Sequence, residues 1–393
     1  MRVVLLWSMA DPGLYSNAPF DRLYAGIGHN NGNLAFVAGA SVTLPDIVSI
    51  LPWHTAPEQI NAEADLVVLP CANQLGAHTD LGAMAELLGR IDVPVVALGL
   101  GAQTMSRDED VTLTPGTAAW LDVLIANGRR FGRNNIYTRG PYATEQIRKL
   151  TGAEVVTGSC PSQFIELAPG LGRRIESRWQ ALDLPRSIAV AGGHQAWDKV
   201  RVIEQQLVAM MMDPVHPGVY VPQSMGDMIR ISRDLLHEVE PDVRERIRRH
   251  LMPHYTPELF AAWCNAYARS FYDVPAWMDE LRRHDLTIGP RYHGAALAIQ
   301  AGRMACTITI DSRTEELCRQ TDVPHLRAED MTGPLTRSTL QKLIRFDGAA
   351  FDAGRQARAA TYLAFLRENG LRPADGLVAL AAETEATGAI AAE

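Results

Sequence analysis

The chain is poor in cysteine, in aromatics and in basic charge, and the shortages of cysteine and of positive charge each exclude a class of function. Five cysteines in 393 residues (Cys71, Cys160, Cys264, Cys306, Cys318) are odd in number, widely spaced and without a C-x-x-C pair. That disfavours a disulfide framework and structural zinc, and the reading is of reduced thiols in a cytoplasmic protein. A formal net charge of −8 leaves no basic face for nucleic acid, so an anionic ligand needs a local arginine cluster. No apolar run has the length of a membrane span. The opening strand, Met1 to Trp7, lacks the long apolar core and cleavage site of a secretory signal. No His, Asp and Glu stand at metal-ligand spacing, and neither a G-x-S-x-G elbow nor a tight G-x-G-x-x-G turn is present. The expectation is a protein without a metal site.

What is present is alternation. Apolar strands at 2–7, 65–70, 93–100, 135–138 and 154–157 alternate with helical patterns beginning at 34, 80, 117 and 141. The alternation restarts at 187–194 and 219–224. It continues, after a charged helical insertion over 226–250, with helices from 256 and 274, strands at 285–289 and 304–310, and helices between and after them. Such alternation specifies parallel sheets with helices on both faces. The predicted fold class is α/β, with two Rossmann-like domains facing each other across a cleft, at 1–175 and 186–345, joined by a basic connector over 170–187. The remainder, 346–393, reads as a C-terminal helix and a tail that is loosely held from about 377.

The stretch Asp285 to Gly302 concentrates the chemistry. An apolar strand meets Gly289-Pro290, then a small-residue helix closed by Gly302. Pro290 suits a first helical turn, and the free N–H groups of a helix start attract anions. Arg291 and His293 share that turn, which points to a phosphorylated or carboxylated small molecule. His293 is expected to be neutral in the empty site and protonated when the anion arrives, as a general acid requires. Other candidate contacts lie at expected strand ends: His29, Asn31 and Asn33 in the loop Gly26–Asn33, Gln103 after G-L-G-A, Arg139 opening a helix, and His194 after Gly192-Gly193. A lone histidine is more often a cap or a half-buried group, and His78, His237, His250, His254 and His284 read as solvated. Arg129, Arg130 and Arg133 read as a solvated basic face.

These residues resemble the polysaccharide pyruvyl transferase family. The resemblance rests on Asn30-Asn31-Gly32-Asn33, on the strand from Val95 to Gln103, on Thr138-Arg139-Gly140-Pro141 with the later V-T-G-S-C-P-S, and above all on I-G-P-R-Y-H-G-A-A-L-A-I-Q-A-G. Together they span most of the first 310 residues. The resemblance implies two domains of the GT-B type. It implies transfer of the pyruvyl unit of phosphoenolpyruvate onto two hydroxyls of a sugar, forming a cyclic ketal and releasing phosphate. It implies that Arg291, Tyr292 and His293, with Gly294 at the helix start, hold the donor and that Arg139 is a further anion contact. Tyr292 stands where Leu is commoner. No cofactor is implied, since phosphoenolpyruvate is a substrate. The implied acceptor is a glycan or lipid-linked saccharide, with the cytoplasm, including the inner face of the membrane, as the location. A nucleotide-sugar glycosyltransferase and a non-catalytic anionic-sugar-binding protein are the alternative readings.

Overall fold

The computed structural model describes residues 1–9, 13, 17–104 and 109–382; the end of the tail, 383–393, lies outside the described residues. The chain forms two compact α/β units. The first comprises Met1–Asp11, Phe36–Pro169 and Ala353–Glu393, the second Pro12–Ala35 and Gly170–Asp352. In the first unit, strands β1 (Val3–Trp7), β2 (Ile47–Pro52), β3 (Leu66–Pro70), β4 (Val95–Leu100), β5 (Ile136–Thr138) and β6 (Val156–Thr157) lie in the order β2-β1-β3-β4-β5-β6. In the second, β7 (Ile188–Gly192), β8 (Val219–Pro222), β9 (Leu286–Gly289), β10 (Met304–Thr309) and β11 (His325–Arg327) lie in the order β11-β10-β9-β7-β8. Every pairing is parallel. The two Rossmann-like sheets expected from the alternation are both there.

Strands β1, β3 and β4 are buried throughout, because helices cover both faces of a parallel sheet. Edge strand β2, which the alternation did not reveal, is half exposed, with Val48 at 59%. The unit boundaries differ from the expected 1–175 and 186–345. Pro12–Ala35 belongs with the second sheet, and Ala353 onward belongs with the first. Tyr362 of helix Gly348–Glu368 stacks on Phe164 at 5.2 Å and tilts against Tyr137 at 5.1 Å, anchoring this helix to the first sheet. The tail is also packed further than its composition suggests. Helix Asp375–Ala382 buries Leu377 and Leu380 completely or nearly so. The expected connector is in part helix Leu171–Gln180, whose Ile175 and Trp179 are buried.

The last residue of β9 is Gly289, where a Cβ would lie 2.2 Å from the carbonyl oxygen of Ala191 in β7. Backbone meets backbone there, so nothing flexible can yield. Gly289→Ala is expected to lower unfolding free energy by about 1–3 kcal/mol through overpacking, measured by denaturant titration. A stability equal to wild type would show that the two strands can separate.

Candidate functional site

Ligands of open parallel sheets lie beyond the carboxyl ends of the strands, where strand order reverses. In the second sheet that point falls between β7 and β9, with β8 on one side and β10 and β11 on the other. The residues following β9 are Pro290 and Arg291, and those following β7 are Gly193 and His194. Helix Tyr292–Gln300 starts one residue after Arg291, which occupies the N-cap position. Pro290 therefore precedes the helix and does not form its first turn. It packs on the other strand end instead, within 2.9 Å of where a Cβ on Gly193 would be. Seven consecutive buried residues, Gly294 to Gln300, seat the helix, and Gly302, at φ 75°, ends it.

Arg291 is held from three sides. Its Nη2 donates to Ser224 Oγ, its guanidinium lies over the Trp197 ring at 4.3 Å, and Glu204 supplies the opposing charge. Burial pushes the Arg291 pKa down to about 10, and Glu204 partly restores it. Its Nε–H is buried with no partner among the described residues. A largely desolvated cation with an unspent donor at a helix start has the chemistry that an anion would satisfy.

Glu204 is 1% exposed and fully used. It accepts from Gly193 N–H at 2.7 Å and from the Tyr220 hydroxyl at 2.7 Å, and pairs with His250 Nε2 at 3.0 Å. Burial, and then Glu204, raise the Tyr220 pKa well above its usual value, so the phenol stays a donor. His250 is 2% exposed and His284 4%, which corrects the expectation that both are solvated. In helix Pro241–Leu251, His250 lies on the face of Ile247 and Leu251, and the 3.6-residue period carries it inward. His284 lies 2.7 Å from Ser187 Oγ.

The loop from Ile27 to Asn33 borders His293. A Cβ on Gly32 would lie 3.0 Å from His293 Nδ1 and 3.1 Å from its Cβ, so a side chain there would press on the histidine. Asn31 N–H donates to the Gln223 carbonyl at 2.8 Å, and Asn30 bridges antiparallel to Ser224. The loop thus continues the end of β8. Asn33 spends its amide on the carbonyls of Ile27 and Gly28 at 3.0 and 3.2 Å, fixing the turn. His29 is exposed, at φ 60°, edge-on to Tyr24 at 4.8 Å.

Of the residues singled out in the sequence, the second unit contains Arg291, Tyr292, His293, Gly294, Asn31, Asn33, His29 and His194. Arg139 and Gln103 belong to the first unit. Arg139 is 8% exposed, and its guanidinium donates to the carbonyls of Gly99 and Cys71, each at 2.8 Å, and to Asn73 Oδ1 at 3.3 Å. That guanidinium ties the ends of β3 and β4. Gln103 N–H donates to the Leu75 carbonyl at 2.8 Å. Arg133, read as solvated, donates to the Asn369 carbonyl. Trp197, Ser224, Glu204 and Tyr220 were not singled out, although each follows a Gly-rich strand end or lies in the strand or helix beside it. Arg313, after β10, is a further cation whose field acts on Arg291. Among the described residues no three His, Cys, Asp or Glu side chains gather as a metal site, and no helix is long and apolar enough to cross a membrane.

His194 accepts the Ala196 N–H on Nδ1 at 2.8 Å, which leaves Nε2–H as its donor. Its pKa is lowered by burial, then by Arg291 and His250, against Glu204. The unfolded chain gains its proton near pH 6.5, whereas native His194 refuses it until lower pH. The stability involved is therefore complete above about pH 6.5 and is lost as the pH falls below it. His194→Gln is expected to show a smaller drop in Tm than wild type between about pH 7.5 and about pH 5; an equal drop would count against the neutral tautomer. Trp197→Leu removes the face under Arg291. It should weaken inorganic phosphate binding by roughly three- to thirtyfold in calorimetry, the range of a cation–π contact.

No curated protein matches the chain. Among solved structures it is similar to a UDP-GlcNAc 2-epimerase from Neisseria meningitidis bound to UDP-GlcNAc, at 10% identity over 93% of this chain and 100% of that one, TM-score 0.42. It is also similar to MurG of Acinetobacter baumannii, at 12% identity over 96% and 98%, TM-score 0.32, and to the E. coli heptosyltransferase WaaC with an ADP-heptose analogue, at 11% identity over 78% and 88%, TM-score 0.31. The sequence profile of the polysaccharide pyruvyl transferases matches residues 14–312, which include the Gly/Asn loop and the turn carrying Arg291 and His293. The chain belongs to the polysaccharide pyruvyl transferase family.

Proposed function

We propose that the protein transfers the pyruvyl group of phosphoenolpyruvate onto two hydroxyls of a sugar in a glycan or glycolipid, forming a cyclic ketal and releasing phosphate. Family membership supports the reaction class. The observation that carries the donor assignment is Arg291: a buried guanidinium with a partnerless Nε–H, one residue before a helix start and two before His293. Phosphoenolpyruvate offers phosphate and carboxylate to such a group.

The chemistry balances as follows. A proton added to the methylene carbon of phosphoenolpyruvate makes C2 oxocarbenium-like, and the first sugar hydroxyl adds there and loses its proton. The C2–O bond to phosphate then breaks, and the second hydroxyl closes the ketal and releases its proton. One enol phosphate and two hydroxyls become one ketal and inorganic phosphate, with no redox change and no cofactor. Arg291 would stabilise the charge that builds on the departing phosphate, and His293 would carry the proton to C3. A lipid-linked acceptor would bring the protein to the inner face of the membrane.

The test is incubation with phosphoenolpyruvate and a panel of methyl glycosides of hexoses and N-acetylhexosamines, scoring phosphate release and a product heavier by one pyruvyl ketal. Arg291→Ala and His293→Ala should each lose about a hundredfold or more in turnover. Full turnover in both variants would overturn the site. Thermal stabilisation by nucleotide sugars and not by phosphoenolpyruvate would overturn the donor.

A further inference from the structure

Two amides beside His293 are buried with part of their hydrogen-bonding capacity unspent. Asn31, 1% exposed, donates Nδ2–H to the Phe271 carbonyl, but its Oδ1 has no partner among the described residues. Gln223, 2% exposed, has no partner for Nε2. The two residues are adjacent, joined by the Asn31 N–H to Gln223 carbonyl bond at 2.8 Å. Their neighbours Asn30 and Ser224 form the bridge described above. A Cβ on Gly294 would lie 2.7 Å from Gln223 Nε2 and 2.8 Å from Ala191 Cβ, so the amide and strand β7 both crowd the glycine after His293. Glycine at 294 leaves that amide in place against the start of the helix.

A buried polar atom without a partner is costly and is rarely kept without a use. Here one orphan is an acceptor and the other a donor. The acceptor is the informative one. Phosphoenolpyruvate, essentially fully ionised at neutral pH, carries only acceptors, so it cannot satisfy Asn31 Oδ1. A hydroxyl group can satisfy both amides, donating its proton to one and accepting from the other. It keeps a second oxygen lone pair for bonding elsewhere.

We propose that Asn31 and Gln223 bind a hydroxyl of the acceptor sugar beside His293, with Asn31 Oδ1 accepting its O–H and Gln223 Nε2–H donating to its oxygen. The ligand class is a neutral polyol. This rests on the pyruvyl-transfer reading, and it puts an acceptor contact and the donor turn on the same unit. The segment Pro12–Ala35 thereby supplies part of the acceptor site to the second sheet.

The test uses Gln223→Met, nearly isosteric, and Gln223→Leu in the full chain. Removing an orphan donor in favour of an apolar group should leave Tm unchanged or raised, whereas a structural amide would lose stability. With the methyl glycoside giving the fastest phosphate release, KM for the glycoside should rise about tenfold or more, with KM for phosphoenolpyruvate essentially unchanged. A rise confined to the KM for phosphoenolpyruvate would overturn the assignment, as would a fall in Tm of several degrees in both variants with glycoside KM unchanged. If the wild-type protein releases no phosphate with any sugar, the pyruvyl-transfer reading fails by itself. The Tm comparison still decides whether Gln223 is held for a ligand or for the fold.

Discussion

The second unit depends on keeping a guanidinium charged where little water reaches it. Taking Arg291 out of solvent costs free energy, and its pKa of about 10 expresses that cost. The opposing charge of Glu204 reduces it, and the burial of Glu204 is in turn made tolerable by Gly193 N–H, the Tyr220 hydroxyl and His250. Each of those partners comes from a different element: the loop after β7, strand β8, and helix Pro241–Leu251. Three pieces of chain far apart in sequence are therefore fixed by the need to neutralise one cation. The charge of Arg291 is thus already oriented by the fold, and under the proposed function an anion bound there would require little reorganisation.

The charged segment over 226–250 gains a structural role from the same network. It delivers His250 to Glu204, and its helix Gly226–Arg230 holds the early chain. Arg230 lies over the Phe20 ring at 4.1 Å and pairs with Asp21 at 3.0 Å. Exposed ion pairs contribute little each. The Arg230 side chain is only 22% exposed and also faces Asp227 and Glu238, which makes it a junction rather than a lone surface pair.

The turn carrying Arg291 and His293 was legible because its signals are local. An apolar strand, Gly-Pro, then a small-residue helix ended by Gly302 can be read from eighteen consecutive letters, and Arg291 and His293 fall where those letters put them. The partners of Arg291 were illegible for the opposite reason. Trp197, Glu204 and Ser224 lie 94, 87 and 67 positions before it, and they meet it only because β9 inserts beside β7, with β8 on the outside. Sheet order is a non-local choice that hydrophobic period does not encode. Arg139 shows the converse. Its place at a strand end was legible, but whether a guanidinium there meets a ligand or the carbonyls of its own neighbours is decided by the backbone around it. His250 was misjudged because its neighbours Arg248 and Arg249 are charged, although its helical phase points inward.

The chain order of the second unit has a consequence for how the protein is made. The loop carrying Asn31 emerges from the ribosome early, yet its partner Gln223 follows 192 residues later, and β9 later still. In vectorial synthesis the loop must wait for Gln223 while the chain of the first sheet is made. Closing so long a span costs only modestly more entropy than closing a short one, so the delay is one of time more than of stability. The wall beside His293 is therefore among the last parts of the fold to be completed, and a chain arrested before β9 has the loop without the turn it serves.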